Sequence, residues 1–250
     1  MLTVGVDLAA SPLQTAACWI KWAREKAEAY KFRGSLDDEE LIESFQGVDK
    51  VGLDVPFGWP DEFVQALAAY QNGPRWPDCP RRSLRFRATD QFVQERTRRW
   101  PLSVSSDRIA VPAMRAARLF SELGQRGLPV SREETGSLVE VYPAAALSVW
   151  GFSASGYKGA KGRQARRNLL AAIEAATGRW LHLDGEVHDA CESSDDVLDA
   201  LPAALVARAA TQGLCEPPPE DIVSRAKTEG WIALPKAGSL DLLPSQASSM

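Results

Sequence analysis

Short apolar segments separated by polar turns dominate the first 55 residues and predict a strand-rich N-terminal part. Residues 4–10, 15–22 and 26–33 are three such segments, and the short turns between them predict an antiparallel meander. A fourth segment, residues 50–55, ends at Pro56. Because the first and fourth segments are apolar at nearly every position, we expect both strands to be buried on two faces, as in a mixed or parallel sheet.

Helical patterns occupy most of the remaining chain. The segment from about residue 57 to residue 135 is rich in Arg, Trp and Pro, and its pattern predicts a long, mostly helical insertion. Residues 138–142 predict a fifth strand, and residues 231–234 are compatible with a closing strand. Further helices are predicted after a cap at Ser35, over residues 144–150, over residues 163–177, and from residue 195 onward with a kink or break at Pro202.

The order of these elements indicates the fold class. Three strands, a helix and then strand–helix units are typical of an α/β protein, here with acidic residues at the ends of neighbouring strands. At 250 residues, one large domain over residues 1–236 is favoured. Residues 237–250 are small and polar, and we expect them to be a disordered tail.

Composition excludes several classes of protein. With 45% hydrophobic and 25% charged residues, the chain is neither globally disordered nor fibrous. No apolar run approaches the ~18 residues of a membrane helix, so no membrane partner is expected, and the N-terminus lacks the pattern of a secretion signal. The four cysteines are far apart and form no CxxC pair, which fits neither a disulfide scaffold nor a zinc site. A reducing, cytoplasmic location is therefore predicted.

The net charge of −4 conceals an uneven distribution. Between Arg75 and Arg118 there are eleven arginines and four acidic residues, whereas residues 184–199 contain seven acidic residues and no Lys or Arg. This asymmetry predicts a polyanion-binding face beside a cation-binding one. The alternative is an ordinary solvated face whose arginine stems pack on apolar surface. The candidate phosphate-binding residues from these segments and from the glycine-rich loop 156–162 are Arg81, Arg82, Arg85, Lys158 and Lys161.

Aromatic residues interrupt the basic segment and leave its role open. Phe86, Trp76 and Trp100 lie among the arginines, where they either stack on unpaired bases or pack the insertion against the core. Likewise, loop 156–162 either approaches phosphates or is a flexible surface loop.

Carboxylates carry the candidate chemistry. The chain has no GxSxG elbow, no Walker GxxxxGK[ST] and no GxGxxG after a strand, and it has only two histidines. Asp196 and Asp199, three residues apart on a predicted helix, share a face. A cluster of carboxylates repels itself unless a cation is bound, and oxygen ligands suit Mg²⁺ or Mn²⁺. Two such ions about 3.5–4 Å apart stabilise both the attacking and the leaving oxygen of a phosphodiester. The candidate residues are Asp7, Asp54, Glu140, Asp196 and Asp199.

Each acid also has a simpler explanation. Asp7 and Asp54 fit turns after their strands, Asp196 fits a helix N-terminus, and Glu140 fits a solvent-facing strand position. Only the complete set therefore favours a catalytic site.

Seven segments, in order from residue 4 to about residue 235, resemble the family known as domain of unknown function 429, which is described as predicted nucleases with an RNase H-like fold. These segments are VGVDLAA, VGLDVPFGWP, RATD, VEVYPAAAL, GYKGAKGRQARRNLL, DDVLDALPAALVA and EGWIALP.

The resemblance implies an RNase H-like mixed five-stranded sheet flanked by helices. It also implies metal ligands at Asp7 on the first strand, Asp54 at the end of the fourth, and Asp196 with Asp199 on the final helix. Glu140 corresponds to a strand glutamate of the family. The family motifs also contain Arg87, Asp90 and Lys158, which the resemblance makes second-rank candidates for substrate binding.

The leading hypothesis is metal-dependent hydrolysis of nucleic acid by a two-metal carboxylate site. The alternative is a nucleic-acid-binding module of the same fold that has lost catalysis. A third hypothesis, an ATPase of the actin and sugar-kinase type, is disfavoured because such proteins usually exceed ~350 residues. The sequence leaves open DNA or RNA as the substrate and a monomer or a homodimer as the assembly.

Overall fold

A six-stranded mixed sheet forms the centre of the protein in the computed structural model, which describes residues 1–73, 75–128, 130–133 and 135–244. The strand order is β5-β4-β1-β2-β3-β6. The strands are β1 Leu2–Asp7, β2 Ala16–Ala23, β3 Lys26–Gly34, β4 Lys50–Asp54, β5 Leu138–Glu140 and β6 Leu181–Leu183.

The sheet combines an antiparallel meander with parallel additions. β1, β2 and β3 pair antiparallel in sequence, whereas β4 pairs parallel with β1 and β5 pairs parallel with β4. The expectation of five strands is wrong by one, because β6 adds to the free edge of β3. Three residues are too few to show an alternating pattern, and this strand depends on its long-range pairing with β3.

Helices cover both faces of the sheet. Asp37, rather than the expected Ser35, caps the first helix, and it forms a capping box with Glu40. No helix among the described residues has the length and apolar character needed to cross a membrane. The helices are α1 Asp38–Ser44, α2 Asp61–Gln71, α3 Arg81–Arg85, α4 Ala88–Thr97, α5 Ala110–Gln125, α6 Pro143–Val149, α7 Arg163–Thr177, α8 Gly185–Ser193, α9 Asp195–Thr211 and α10 Val223–Glu229.

The central helix α9 lies directly on the sheet. It contacts β1, β2 and β4, and Gly5 and Gly52 let it approach, since a Cβ atom on either glycine would overlap the backbone of α9. Pro202 lies inside α9, but the helix continues through it to Thr211 instead of breaking.

Alternation along β1 decides which side chains meet α9. Val4 and Val6 point to the opposite face and pack with residues of α1 and α5. Gly5 faces α9. Because side chains alternate along a strand, Asp7 extends from the same face as Gly5, and Asp54 from the same face as Gly52.

The C-terminal segment differs in part from the expected disordered tail. Ser239–Leu242 is a short 3₁₀ helix, and Leu240 and Leu243 are buried against the core. Residues 245–250 of the expected tail lie outside the described residues. In the described part of the chain, residues 231–234 pair with the sheet through a single bridge, between Glu140 and Ile232, rather than as a closing strand.

Candidate metal centre

Two strands bring the first pair of acidic residues together. Asp7 ends β1 and Asp54 ends β4, and these parallel neighbours are paired directly in the register. Both side chains are half-buried. The carboxyl ends of parallel strands are the usual place for ligand sites in α/β sheets, and here they carry two carboxylates.

Helix α9 supplies the third acidic residue. The close packing over Gly5 and Gly52 places Asp199, which is fully buried, above the ends of β1 and β4. One carboxylate oxygen from each of Asp7, Asp54 and Asp199 lies within 4.8 Å of the other two. These three residues are called the acidic triad below.

The loop before α7 closes one side of the acidic triad. The Tyr157 hydroxyl donates to Asp199 Oδ1 at 2.6 Å, and the Lys158 ammonium contacts Asp199 Oδ2. Sequence reasoning did not identify Tyr157, although it is next to Lys158 in the same motif. Its contact with Asp199 spans 42 residues, which no local pattern reveals.

Arg166 on α7 holds this loop in place. Its side chain is buried, and one guanidinium nitrogen donates to the carbonyl oxygens of Tyr157 and Gly159, each at 2.8 Å. Gly159 adopts a positive φ of 73°, a conformation that glycine adopts without strain, and its amide donates to Asp195 at 3.0 Å. The loop is therefore tied to both α7 and α9.

Burial and charge repulsion act together on the acidic triad. Desolvation raises the pKa of Asp7 well above its ordinary value, and the Asp54 carboxylate raises it further. Desolvation also raises the pKa of Asp54 to about 6, with Lys158 acting in the opposite direction. A bound cation would offset both the desolvation of these carboxylates and their mutual repulsion.

Asp54→Asn is expected to stabilise the metal-free protein at pH 7.5. The raised pKa means that folded Asp54 binds a proton more readily than the unfolded residue, so its charged form destabilises the fold above about pH 6. In chelator, we expect the melting temperature of the variant to exceed that of the wild type by a few degrees at pH 7.5. This difference should disappear as the pH falls through 6 towards about 4, where the unfolded residue is protonated too. A pH-independent difference would contradict this assignment.

Asp196 lies outside the acidic triad. It is half-buried in the first turn of α9, one turn before Asp199, and burial followed by repulsion from Asp195 raises its pKa. Both residues lie in α9, three positions apart, so the expectation that they share a face of the helix is consistent with the structure. Nevertheless, the three-residue group that the described residues bring within ligand distance contains Asp199 and not Asp196.

Glu140, Arg87 and Asp90 form a separate buried ionic cluster. The Arg87 guanidinium donates to both oxygens of Glu140, at 2.8 and 2.6 Å, and to Asp90 Oδ1 at 2.8 Å. Glu140 also accepts the amide of Phe57, and burial raises its pKa although Arg87 opposes this. Arg87 is 1% exposed and Asp90 is fully buried, so neither can contact a substrate phosphate here. This corrects their interpretation as substrate-binding residues, and Glu140 is likewise engaged in the cluster rather than in the acidic triad.

The remaining basic candidates are accessible. Arg81, Arg82 and Arg85 are exposed on α3, and Lys161 is exposed in the loop before α7. The Arg82 guanidinium lies 4.8 Å from the Trp100 ring, which in turn packs on Phe86 with ring centroids 4.3 Å apart. These two aromatic residues therefore pack on one another, while Trp100 keeps 38% of its surface exposed. Trp76, the third, is 54% exposed and packs edge-on against Tyr70.

The donor set of the acidic triad fits a hard divalent cation. The three carboxylate oxygens lie within 4.8 Å of one another, and this separation is close to the roughly 4.2 Å between opposite oxygens around Mg²⁺. Asp7 and Asp54 are reachable from solvent, which leaves a path for an ion.

The chain is thus an α/β protein in which carboxylates converge at the ends of two parallel strands of the sheet. The chain belongs to the family described as "Protein of unknown function (DUF429)", whose model matches residues 5–223. No curated protein and no solved structure shows a significant match to the chain.

Proposed function

We propose that the protein is a metal-dependent phosphodiesterase that hydrolyses nucleic acid at the acidic triad. The observation that carries this proposal is the convergence of Asp7, Asp54 and Asp199 within 4.8 Å, from β1, β4 and α9. Acids on the first strand, the fourth strand and a long C-terminal helix are also what an RNase H-like nuclease requires, and we propose that fold class for the sheet.

Asp7 has the central role in this proposal. It lies beside Asp54 in the register and also within reach of Asp199, so it would be the ligand that two divalent ions, Mg²⁺ or Mn²⁺, have in common. Asp54 would complete the ligands of one ion, and Asp199, with Asp196 one turn away, those of the other. When bound, such ions supply an activated water and stabilise the charge that develops on the leaving oxygen.

The residues around the acidic triad prepare it for this chemistry. Tyr157 fixes the orientation of the Asp199 carboxylate through its 2.6 Å hydrogen bond. The partial burial that raises the pKa values of Asp7 and Asp54 also strengthens their attraction for a cation.

Basic and aromatic side chains near the acidic triad favour nucleic acid as the substrate. Tyr142 connects the two regions, because it lies just after β5, which pairs with β4 beside Asp54, and its hydroxyl donates to the Trp100 carbonyl at 3.5 Å. Arg82 covers Trp100, and Arg85 is exposed on the same helix. Arginine binds phosphate and exposed aromatic rings stack on bases, so this surface suits a strand of nucleic acid.

The test is cleavage of labelled single-stranded, duplex, hybrid and four-way-junction substrates by the purified chain, in Mg²⁺, in Mn²⁺ and in chelator. We expect cleavage of at least one substrate with metal and none in chelator. Salt-dependent binding without cleavage under any condition would instead favour the non-catalytic binding module, with log affinity falling linearly against log salt.

A further inference from the structure

Lys158 occupies an unusual position for a lysine. Its ammonium contacts Asp199 Oδ2, the carboxylate at the buried end of the acidic triad. Among the described residues it is the one cationic side chain in direct contact with the acidic triad, since Asp7 and Asp54 form no ion pair there. The protein therefore provides one positive charge of its own for three neighbouring carboxylates.

The backbone that carries Lys158 is fixed, but its side chain has room to move. Tyr157 is bonded to Asp199, and Gly159 is bonded to Asp195 and Arg166, so both neighbours of Lys158 are tied down. The Lys158 side chain itself is 55% exposed. A long, flexible side chain on a fixed backbone can leave Asp199 without any rearrangement of the loop.

A divalent ion bound through Asp199 needs the same oxygen that Lys158 contacts. The ammonium and the ion cannot both bind Asp199 Oδ2 at contact distance, because their charges repel and their positions overlap. Any ligand that binds one state of a protein more tightly than another shifts the balance between them.

We propose that Lys158 is an exchangeable internal counterion, which neutralises Asp199 in the metal-free protein and competes with the divalent cation for it. The inference rests on the metal site of the proposed function. It adds that the affinity for the ion is set by a residue that is not one of its ligands.

If Lys158 competes with the metal ion, removing its contact with Asp199 should increase the affinity of the protein for the ion. In Lys158→Met, the ion no longer displaces an ammonium, so Mn²⁺ should bind about tenfold more tightly, a factor that corresponds to ~1.4 kcal/mol. Without metal, the same variant should have a lower melting temperature than the wild type, and saturating Mn²⁺ should raise it by more than it raises that of the wild type.

The experiment is calorimetric titration of Mn²⁺ into the metal-free full chain, with no substrate and no activity measurement. Lys158→Gln removes the charge but keeps a hydrogen-bond donor, so it provides the answer if Lys158→Met does not fold. Lys161→Met is the matched control, because Lys161 is exposed in the same loop and contacts no member of the acidic triad.

The outcomes separate the inference from the function on which it rests. Tighter Mn²⁺ binding by Lys158→Met and Lys158→Gln, with Lys161→Met unchanged, supports the exchange. Equal binding by the wild type and both Lys158 variants overturns the exchange and leaves the metal site intact. No binding by any of them, wild type included, overturns the metal site itself.

Discussion

Asp7→Asn is expected to abolish metal-dependent hydrolysis, lowering kcat by on the order of 10³-fold or more. Asp7 lies beside Asp54 in the register and within ligand distance of Asp199, so in the proposed arrangement its loss removes a ligand from both ions. A catalytic ion contributes several kcal/mol of charge stabilisation, and each 1.36 kcal/mol corresponds to a factor of ten in rate. The measurement is single-turnover cleavage of the best substrate at saturating Mn²⁺.

Loss of folding would not explain this result. Desolvation and the Asp54 charge raise the pKa of Asp7, so its charged form destabilises the metal-free fold at neutral pH. Asn has the same shape as Asp but no charge, so in chelator the Asp7→Asn variant should melt at a temperature equal to or higher than that of the wild type. Asp189→Asn, an exposed acid on α8, is the matched control and should cleave like the wild type. Wild-type turnover by Asp7→Asn would mean that another site performs the chemistry.

The parts of the site that follow from strand geometry could be predicted from the sequence. Asp7 and Asp54 end two apolar strands, and the alternation of side chains then places both on one face. The face shared by Asp196 and Asp199 follows from helical spacing, but the choice between them does not. That choice depends on how closely α9 approaches Gly5 and Gly52, which is a property of the packed sheet.

The errors concern contacts between residues that are distant in the sequence. Arg87 meets Glu140 across 53 residues, so nothing local separates a buried arginine from its exposed neighbours on α3. The same limit applies to β6, which depends on β3 for its pairing, and to the contact of Tyr157 with Asp199. Residue type and spacing identified the charged residues, but only the fold shows which charges neutralise one another.

Burial of Arg87 has a structural consequence that differs from the role of the exposed arginines. Its guanidinium joins α4, through Asp90, to β5, through Glu140, and also donates to the Glu229 carbonyl of α10 at 3.2 Å. Three elements from the middle and the end of the chain thus depend on one side chain. Glu140 pairs in the sheet with Leu53, the residue before Asp54, so the buried ionic cluster lies close to the acidic triad.

Arg87→Met is expected to destabilise the protein by about 3–5 kcal/mol, because it leaves the Asp90 and Glu140 carboxylates buried without a counterion. In a protein of this size the melting temperature should fall by roughly 6–20 °C. The measurement is thermal unfolding at pH 7.5 in chelator. Arg118→Met is the control, since Arg118 is exposed and pairs with Glu122 on the surface of α5, where a change below about 1 kcal/mol is expected.

Adding Glu140→Gln to Arg87→Met separates the loss of the pair from general damage. If the cost comes from the unpaired carboxylates, neutralising one of them should recover part of the lost stability, and the two substitutions together should cost less than their sum. Strictly additive losses would mean that Arg87 acts through packing alone. Recovery would show that its charge is needed inside the fold to neutralise Asp90 and Glu140, which is a physical reason for an arginine of this basic segment to be unavailable to a nucleic acid.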